Sequence, residues 1–199
     1  MRRTVDYYFA PQSPWMYLGH ARFTDIAQRA GADVRVRPVD YSQIFAASGG
    51  LPLPKRAPQR QAYRLLELRR FSQTLGIPLN PEPRHFPVAG DPAGLLITAV
   101  ADTDGADAAM RLTGAIGRAI WVEERNVADD AVLAELLTGN GLDASRLMQS
   151  QQADVKARYA DHTRQAIDAG VFGAPSYVID GEIFWGQDRL DFVERRLAG

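Results

Sequence analysis

The chain begins and ends with β-strand patterns that enclose a long stretch of helical patterns, and this order restricts the folds open to it. Residues 4–9 alternate apolar and polar side chains with the period of a strand. A helix is predicted over 13–30, ending at Gly31, and a second strand over 33–39. Because a strand, a helix of this length and another strand form a right-handed crossover, we expect the two strands to be parallel.

The last thirty residues return to strands. Residues 173–179 have a strand pattern, and Asp180-Gly181 is typical of a two-residue hairpin turn. Residues 182–185 form the returning strand, and an amphipathic helix is predicted over 186–197. The C-terminal pair of strands is therefore expected to be antiparallel.

Helical patterns fill the middle of the chain. A Gly- and Pro-rich loop at 48–55 precedes a helix predicted at about 59–75, and a Pro-rich extended segment follows at 77–88. Further helices are predicted at 92–102, 106–125, 129–137 and 144–169. Asp91, Asp129 and Asp143 stand where they would cap three of these helices.

The complete order is β-α-β, a block of helices, then β-β-α. With parallel and antiparallel pairs in one sheet, this order predicts an α/β thioredoxin-like fold with a large all-helical insertion. We expect residues 1–58 to form the N-terminal part of the thioredoxin-like domain, 59–169 the helical insertion domain, and 170–199 the C-terminal part. A chain of 199 residues is long enough for one well-packed core with such an insert.

Composition excludes several classes of function. The formal net charge is −1, so neither a nucleic acid nor an anionic membrane surface is indicated as a partner. No apolar run is long enough to cross a bilayer, and no apolar signal core follows Met1, so we expect a cytoplasmic protein. Cysteine is absent, which excludes disulfides and redox thiols on the chain itself. Any thiol chemistry must use the sulfur of a small molecule.

The three histidines do not suggest a metal site. His20, His85 and His162 have no ligand spacing to one another, and we expect no metal cofactor. His20 lies two helical turns after Ser13, where a packed or surface role is favoured over a catalytic one.

Ser13-Pro14-Trp15 follows the first strand and marks the start of the first helix. Serine is a favoured N-cap, and proline is favoured at the first helical position. A hydroxyl, free backbone N–H groups and the positive end of a helix dipole then meet at one point, where an anion such as a thiolate is stabilised. Taken alone, the tripeptide favours simple capping of the helix over an anion site.

Three motifs together resemble a known family. They are Phe9-x-x-x-Ser13-Pro-Trp-x-Tyr17-Leu, Gly170-Val-Phe-Gly-Ala-Pro175-Ser-x-Val and Phe184-Trp-Gly-Gln-Asp188-Arg-Leu. The pattern is similar to that of the 2-hydroxychromene-2-carboxylate isomerases, which are related to kappa-class glutathione transferases and periplasmic disulfide oxidoreductases. Thiol-redox relatives carry Cys-x-x-Cys where this chain has Ser13 to Met16, so disulfide exchange is excluded here.

The resemblance implies a glutathione site between the two ends of the chain. Ser13 would be the catalytic residue that holds the glutathione sulfur and lowers its pKa, with Pro14 and Trp15 beside it. The bond before Pro175 would be cis, and the backbone of Ala174 would pair with the cysteinyl part of glutathione.

The third motif supplies the other end of that site. The resemblance implies that Gln187 and Asp188 hold the γ-glutamyl end of glutathione, and that Trp185 and Gly186 line the same turn. An alternative is that Asp188 only caps the last helix. Both roles are compatible, because a carboxylate has several lone pairs.

Substrate-binding residues are less firmly indicated. In kappa-class relatives, the loop that corresponds to 48–55 covers the site and has an asparagine near the position of Gly50. This departure puts one glutathione or substrate contact in doubt. Lys55, Arg56 and Arg60 are candidates for the partner of a substrate carboxylate, or else form a solvated charge cluster. The stretch containing His85 and Phe86 resembles a substrate-pocket segment. Among the aromatic residues near these motifs, we expect only Trp15 and Trp185 to reach the pocket.

The activity that the resemblance implies is a glutathione-dependent isomerisation. It would interconvert 2-hydroxychromene-2-carboxylate and trans-o-hydroxybenzylidenepyruvate, a step of naphthalene-type aromatic catabolism, and return glutathione unchanged. Two alternatives stay open: a kappa-type transferase that conjugates glutathione to electrophiles, and a non-catalytic thioredoxin-like binding module. Relatives are commonly homodimers, so the expected partners are glutathione, a small aromatic or electrophilic substrate and a second copy of the chain.

Overall fold

A four-stranded mixed sheet organises residues 2–199, the part of the chain that the computed structural model describes. Its strands are β1 (Thr4–Phe9), β2 (Asp33–Pro38), β3 (Ser176–Ile179) and β4 (Glu182–Trp185), in the spatial order β2-β1-β3-β4. β1 is parallel to β2, whereas the β1–β3 and β3–β4 pairs are antiparallel. The predicted parallel pair, C-terminal hairpin and thioredoxin-like α/β fold are confirmed.

Nine α-helices occur within residues 2–199. They are α1 (Pro14–Arg29), α2 (Tyr41–Ser48), α3 (Pro58–Leu75), α4 (Asp91–Asp104), α5 (Ala106–Trp121), α6 (Asp130–Gly139), α7 (Ser145–Gln149), α8 (Ala153–Asp168) and α9 (Leu190–Ala198). Short 3-10 turns at Leu53–Lys55 and Gln187–Arg189 precede α3 and α9. Within this range, no helix combines the length and apolarity needed to span a membrane. The large helical insertion is thus present, and its boundaries at 58/59 and 169/170 stay a prediction.

Helices cover both faces of the sheet. On one face, the fully buried Val5, Tyr7 and Phe9 of β1 join a large apolar cluster with side chains from α1, α4, α5 and α9. On the other face, Tyr8 packs in a smaller cluster with Tyr41 of α2 and side chains of α8. Because β1 is central and buried on both faces, the loop that joins it to α1 starts from a rigid base.

The ends of α1 follow from its sequence. Ser13 is the N-cap, in an extended conformation, and Pro14 is the first helical residue. At the other end Gly31 takes a φ of 60°, and the N–H of Ala32 donates to the carbonyl of Ala27. This is the pattern of a Schellman motif, in which glycine avoids the steric cost of a left-handed residue.

The hairpin turn also has the geometry that its sequence predicts. Asp180 and Gly181 both have positive φ, of 51° and 81°. Positive φ at both central residues is the requirement of a type I′ turn, and Asp-Gly meets it at low cost.

The helical region departs from prediction in three places. The sequence pattern predicts no helix at 41–48, yet α2 forms there, with the Asp40 carboxylate accepting from the N–H of Ser42 at 2.8 Å. The single helix predicted at 144–169 is two helices, because the buried Ser150 ends α7 and donates its hydroxyl to the Leu147 carbonyl. The helix predicted to reach residue 125 stops at Trp121, whose carbonyl accepts from the N–H of Asn80 at 2.7 Å.

The predicted aspartate caps are partly correct. Asp129 accepts from the N–H of Ala131 at 2.9 Å and caps α6 as expected. Asp143 likewise accepts from the N–H of Ser145 at 2.8 Å. The prediction for Asp91 was wrong: it is the first residue of α4, and its carboxylate accepts from the Tyr159 hydroxyl at 2.9 Å instead. Asp91 thus joins α4 to α8.

Candidate active site

The N-terminus of α1 presents two unused hydrogen-bond donors. The Ser13 Oγ accepts from the N–H of Met16 at 3.3 Å, and the Ser13 carbonyl accepts from the N–H of Tyr17 at 3.1 Å. Within residues 2–199, neither the Ser13 hydroxyl proton nor the main-chain N–H of Trp15 has a hydrogen-bond acceptor. These donors and the helix dipole make this end of α1 suited to an anion.

The segment before β3 is held by bonds to a single carbonyl. The hydroxyls of Tyr41 and Ser176 both donate to the Gly173 carbonyl oxygen, the second at 2.7 Å. The N–H and C=O of the next residue, Ala174, have no hydrogen-bond partner within residues 2–199. The Ala174–Pro175 peptide bond is cis, as predicted.

A pocket of about 740 Å³ joins these elements to α3. From the thioredoxin-like elements, its wall contains Trp15, Ala174, Trp185, Gly186, Gln187, Asp188 and Arg189. From the segment leading into α3 and from α3 itself, it contains Arg56, Gln59, Arg60, Tyr63, Arg64, Glu67 and Phe71. The Trp15 and Phe71 rings meet edge to face, with centroids 5.9 Å apart. The structure therefore brings together residues that lie more than 100 positions apart in sequence.

The turn after β4 is fixed from behind by α1. Gln187 is 2% exposed, and its carboxamide oxygen and main-chain carbonyl both accept from Arg22, at 3.0 and 3.2 Å. Gly186 has a φ of 101°, which an L side chain rarely adopts. Gly19 of α1 leaves room for the turn, because a Cβ there would lie 2.8 Å from the Gln187 Cβ. The Gln187 carboxamide oxygen is thus engaged in holding the turn.

Asp188 does not cap the last helix. Neither the 3-10 turn at Gln187–Arg189 nor α9 has a side-chain cap, so the capping alternative was wrong. The exposed Asp188 carboxylate instead pairs with Arg189 at 2.7 Å. A carboxylate and a guanidinium therefore stand side by side at the pocket rim, matched to the opposite charges of an amino acid terminus.

Trp185 lies in the pocket wall, as predicted. It packs edge to face on Phe172, with centroids 4.9 Å apart, and a Cβ on Gly173 would lie 2.1 Å from its indole nitrogen. The absence of a side chain at Gly173 is therefore what lets Trp185 lie here. Other aromatic residues near the motifs, Tyr8, Phe9 and Tyr41, are buried in the core, as expected.

Several predicted residues do not line the pocket. Ser13, Pro14, Lys55 and Pro175 lie beside lining residues in sequence, whereas Gly50, His85 and Phe86 do not. Lys55 and His85 are exposed to solvent. The Gly50 backbone lies against the Phe45 ring, where a Cβ would come within 2.4 Å.

Phe86 contributes from behind the pocket wall. Its ring packs against that of the buried Trp121, with centroids 4.8 Å apart, and lies 5.2 Å from the Arg64 guanidinium carbon. It therefore supports a lining residue instead of meeting a ligand directly.

His20 is a core residue, as the sequence interpretation favoured. Its Nε2 lies 2.8 Å from the Met110 carbonyl and its Nδ1 3.2 Å from the Tyr7 hydroxyl. Burial lowers the His20 pKa to about 4. The neutral ring therefore donates to Met110 and accepts from Tyr7, linking α1 to α5 and β1.

Sequence reasoning missed Arg64. It is 9% exposed, lines the pocket, and has no carboxylate within 4 Å in residues 2–199. Burial, with a smaller contribution from Arg56, lowers its pKa to about 10. The spacing holds a usable signal: Arg64 lies four residues before the buried Leu68, on the same face of α3.

A second cavity, of about 850 Å³, lies between α1, the start of β2 and α5. It is lined by none of the residues that the motifs indicate. Residues 2–199 contain no group of three or more His, Asp or Glu placed to hold a metal ion. The pocket beside the N-terminus of α1 is therefore the candidate active site.

Known proteins resemble the chain along its whole length. The sequence profile of the DSBA-like thioredoxin domain matches residues 4–198. A 2-hydroxychromene-2-carboxylate isomerase of Sphingobium xenophagum is 30% identical over 199 residues, with 99% of each chain covered. A protein of Caenorhabditis elegans named glutathione S-transferase kappa 2 is 26% identical, with 99% of this chain and 92% of the relative covered.

A solved structure agrees with these sequences. The structure of a 2-hydroxychromene-2-carboxylate isomerase superposes with a TM-score of 0.81 and 26% identity, covering 98% of this chain and 94% of the other. The relatives support a function of the isomerase or glutathione-related type. The chain belongs to the DsbA-like thioredoxin-domain family and, within it, to the family of 2-hydroxychromene-2-carboxylate isomerases.

Proposed function

We propose that the chain is a glutathione-dependent cis-trans isomerase that interconverts 2-hydroxychromene-2-carboxylate and trans-o-hydroxybenzylidenepyruvate. The observation that carries this proposal is the pair of unused donors at the N-terminus of α1, the Ser13 hydroxyl and the main-chain N–H of Trp15. The chain has no cysteine, so the anion that these donors would stabilise in a thiol reaction must come from a ligand. The names of the relatives support 2-hydroxychromene-2-carboxylate as the substrate.

The residues present fit glutathione at three points. The free N–H and C=O of Ala174 suit pairing with the cysteinyl backbone. The paired charges of Asp188 and Arg189 suit the ammonium and carboxylate of the γ-glutamyl end. Ser13, at the N-terminus of α1, suits the sulfur.

The roles of these residues follow from their donors and charges. Bound glutathione supplies a thiolate that adds reversibly to a conjugated double bond and so allows rotation about it. The Ser13 hydroxyl would donate a hydrogen bond to the sulfur of bound glutathione, and the α1 dipole would lower the pKa of its thiol. Trp15 and Phe71 hold water away from one side of the pocket and offer flat surfaces to an aromatic substrate.

A kappa-type transferase is the second candidate, supported by the Caenorhabditis elegans relative. Both functions use the same glutathione site and differ in whether glutathione is released. Incubation of the protein with glutathione and 2-hydroxychromene-2-carboxylate distinguishes them. An isomerase changes the substrate's absorption spectrum without consuming glutathione, whereas a transferase consumes glutathione stoichiometrically. No turnover and no thermal shift with glutathione would leave only a binding module and contradict the proposal.

The Ser13→Ala variant tests the proposed catalytic residue. We expect kcat to fall by about 100-fold, because a donor to the reacting anion is lost. The free energy of unfolding should fall by only about 1 kcal/mol, because the N-cap is lost. Ser48→Ala, at the exposed end of α2, is the matched control and should keep full turnover. An active Ser13→Ala enzyme would contradict the assigned role.

The proposal includes a homodimer in the cytoplasm. Sedimentation equilibrium of the purified chain tests the oligomeric state. A single species near the monomer mass of 21.9 kDa would exclude the dimer and leave the isomerase proposal unaffected.

A further inference from the structure

Arg64 is a buried cation without an anion. It lies on α3, is 9% exposed, and its Nη2 is buried with no hydrogen-bond partner in residues 2–199. Its guanidinium carbon lies 5.2 Å from the centre of the Phe86 ring and 5.9 Å from that of Trp121. These rings fix the orientation of the guanidinium without neutralising its charge.

Two partly buried arginines of the chain, Arg37 and Arg146, are paired with carboxylates. Arg37 donates to the Asp6 carboxylate at 2.7 Å, and Arg146 donates to both oxygens of Asp104, at 2.7 and 3.0 Å. A buried charge is costly unless it is paired and hydrogen-bonded. The contrast indicates that residues 2–199 do not supply the anionic partner of Arg64.

The carboxylates of the pocket wall are not available to Arg64. Glu67 accepts from Arg70 at 2.8 Å, and Asp188 pairs with Arg189 at 2.7 Å. The neighbouring Arg56 and Arg60 add positive charge to the same wall. The pocket near Arg64 therefore favours an anionic ligand.

We propose that Arg64, which lines the pocket and whose guanidinium is held by Phe86 and Trp121, binds the carboxylate of a flat, conjugated substrate. A guanidinium binds a carboxylate by two parallel hydrogen bonds, and such a fork orients the acid as well as attracting it. The aromatic side chains of Trp15, Tyr63 and Phe71 line the same pocket and suit a flat ligand. Arg64 thus determines specificity for an acid over its neutral analogue, and the identity of that acid rests on the proposed isomerase function.

Glutathione also has carboxylates, so the test must separate the two sources. Isothermal titration with salicylate, a flat aromatic acid, measures the proposed contact without glutathione or turnover. Salicylamide has the same shape without the charge and should bind more weakly to the wild-type protein than salicylate. A wild-type protein that binds the two equally would overturn the proposal.

The decisive variant is Arg64→Met, which removes the charge and roughly keeps the volume. We expect the salicylate Kd to rise at least about tenfold, corresponding to the loss of a charged hydrogen-bonded pair. The glutathione Kd should change less than about twofold, because the proposed glutathione contacts do not include Arg64. Arg69→Met, on the exposed side of α3, is the matched control and should leave both affinities unchanged. Unchanged salicylate binding in Arg64→Met, or a loss of glutathione binding instead, would overturn the assignment.

Thermal unfolding gives a second readout. Because Arg64 is an unpaired buried charge, Arg64→Met should unfold at the same or a higher temperature in the absence of ligand. A purely structural arginine would give a lower unfolding temperature, and that result would count against the proposal. If Arg64→Met does not fold, Arg64→Lys loses the fork but keeps the charge, and an unchanged salicylate Kd in that variant would also overturn it.

Failure of this inference and failure of the proposed function give different results. If salicylate binds through Arg64 but no isomerisation or glutathione binding occurs, the anion site stands and the isomerase proposal fails. If isomerisation depends on Ser13 but salicylate binding does not depend on Arg64, the isomerase proposal stands and this inference fails.

Discussion

The two walls of the candidate active site are built in different ways. The wall from the thioredoxin-like elements is set by backbone geometry. Gly186 has positive φ, and Gln187 is fixed by Arg22. Ala174 follows a carbonyl that accepts two hydrogen bonds. The wall from α3 is set by long side chains on one helix. The first wall leaves little freedom to its residues. In the second wall, the side chains other than Arg64 are exposed or partly buried and can adjust to a ligand.

Burial shows the same difference. α1 buries eight of its 16 residues, whereas α3 buries only Arg64 and Leu68 of its 18. A helix with so few buried side chains is held mainly by local bonds and opens at a lower free energy than one in the core. The end of the pocket that we propose to hold glutathione is therefore preformed, and the α3 end is expected to be mobile until ligand binds.

Hydrogen exchange tests this comparison most strongly. We expect backbone amides in the middle of α3 to exchange on the order of 100-fold faster than those in the middle of α1, because α3 opens locally. Exchange mass spectrometry of the unliganded protein measures both helices together. Saturation with salicylate should slow exchange in α3 more than in α1. Equal protection of the two helices would remove the distinction between a fixed and a mobile wall.

Gly19→Ala tests whether the first wall is rigid. The added Cβ would lie 2.8 Å from the Gln187 Cβ and 3.2 Å from the Tyr177 hydroxyl. We expect the free energy of unfolding to fall by about 1–2 kcal/mol, because the turn has no room to move. Gly139→Ala in α6 has open space around its Cβ and is the matched control, which should be neutral or slightly stabilised. Denaturant unfolding measures both, and equal stabilities would show that the turn yields.

Arg60→Met tests the second wall, with the smallest effect of the three. Arg60 lines the pocket but is exposed to solvent. Because exposed charges are screened, we expect the salicylate Kd to rise less than about threefold, an effect that disappears at high salt. Titration at two salt concentrations measures it. A loss as large as that of Arg64→Met would move the carboxylate site from Arg64 to Arg60.

Much of the fold could be predicted because its turns have strict sequence requirements. The cap at Ser13, the left-handed glycine at Gly31 and the Asp180-Gly181 turn each leave a local sequence pattern. α2 could not be found in this way. It is eight residues long, and its buried Tyr41 and Ile44 make too short a pattern to be distinguished from a loop.

The same distinction applies to the candidate site, where residues within motifs could be predicted and residues outside them could not. Trp15, Ala174 and the residues 185–188 lie within motifs, and the structure brings them to one pocket. Lys55 and Arg64 show the limit of local sequence reasoning. A cation near a loop and a cation on a helix face look alike in sequence, and only packing against Phe86 and Trp121 distinguishes the buried one.

The hydrogen bonds of the Gly173 carbonyl bear on which thiols the proposed glutathione site would accept. Its oxygen already receives two hydroxyl donors, so both lone pairs are occupied. This carbonyl is therefore unavailable to an extended ligand, whereas the N–H and C=O of Ala174 have no partner within residues 2–199. Main-chain pairing with Ala174 would recognise an amide unit next to the sulfur, which a tripeptide offers and a simple mercaptan lacks.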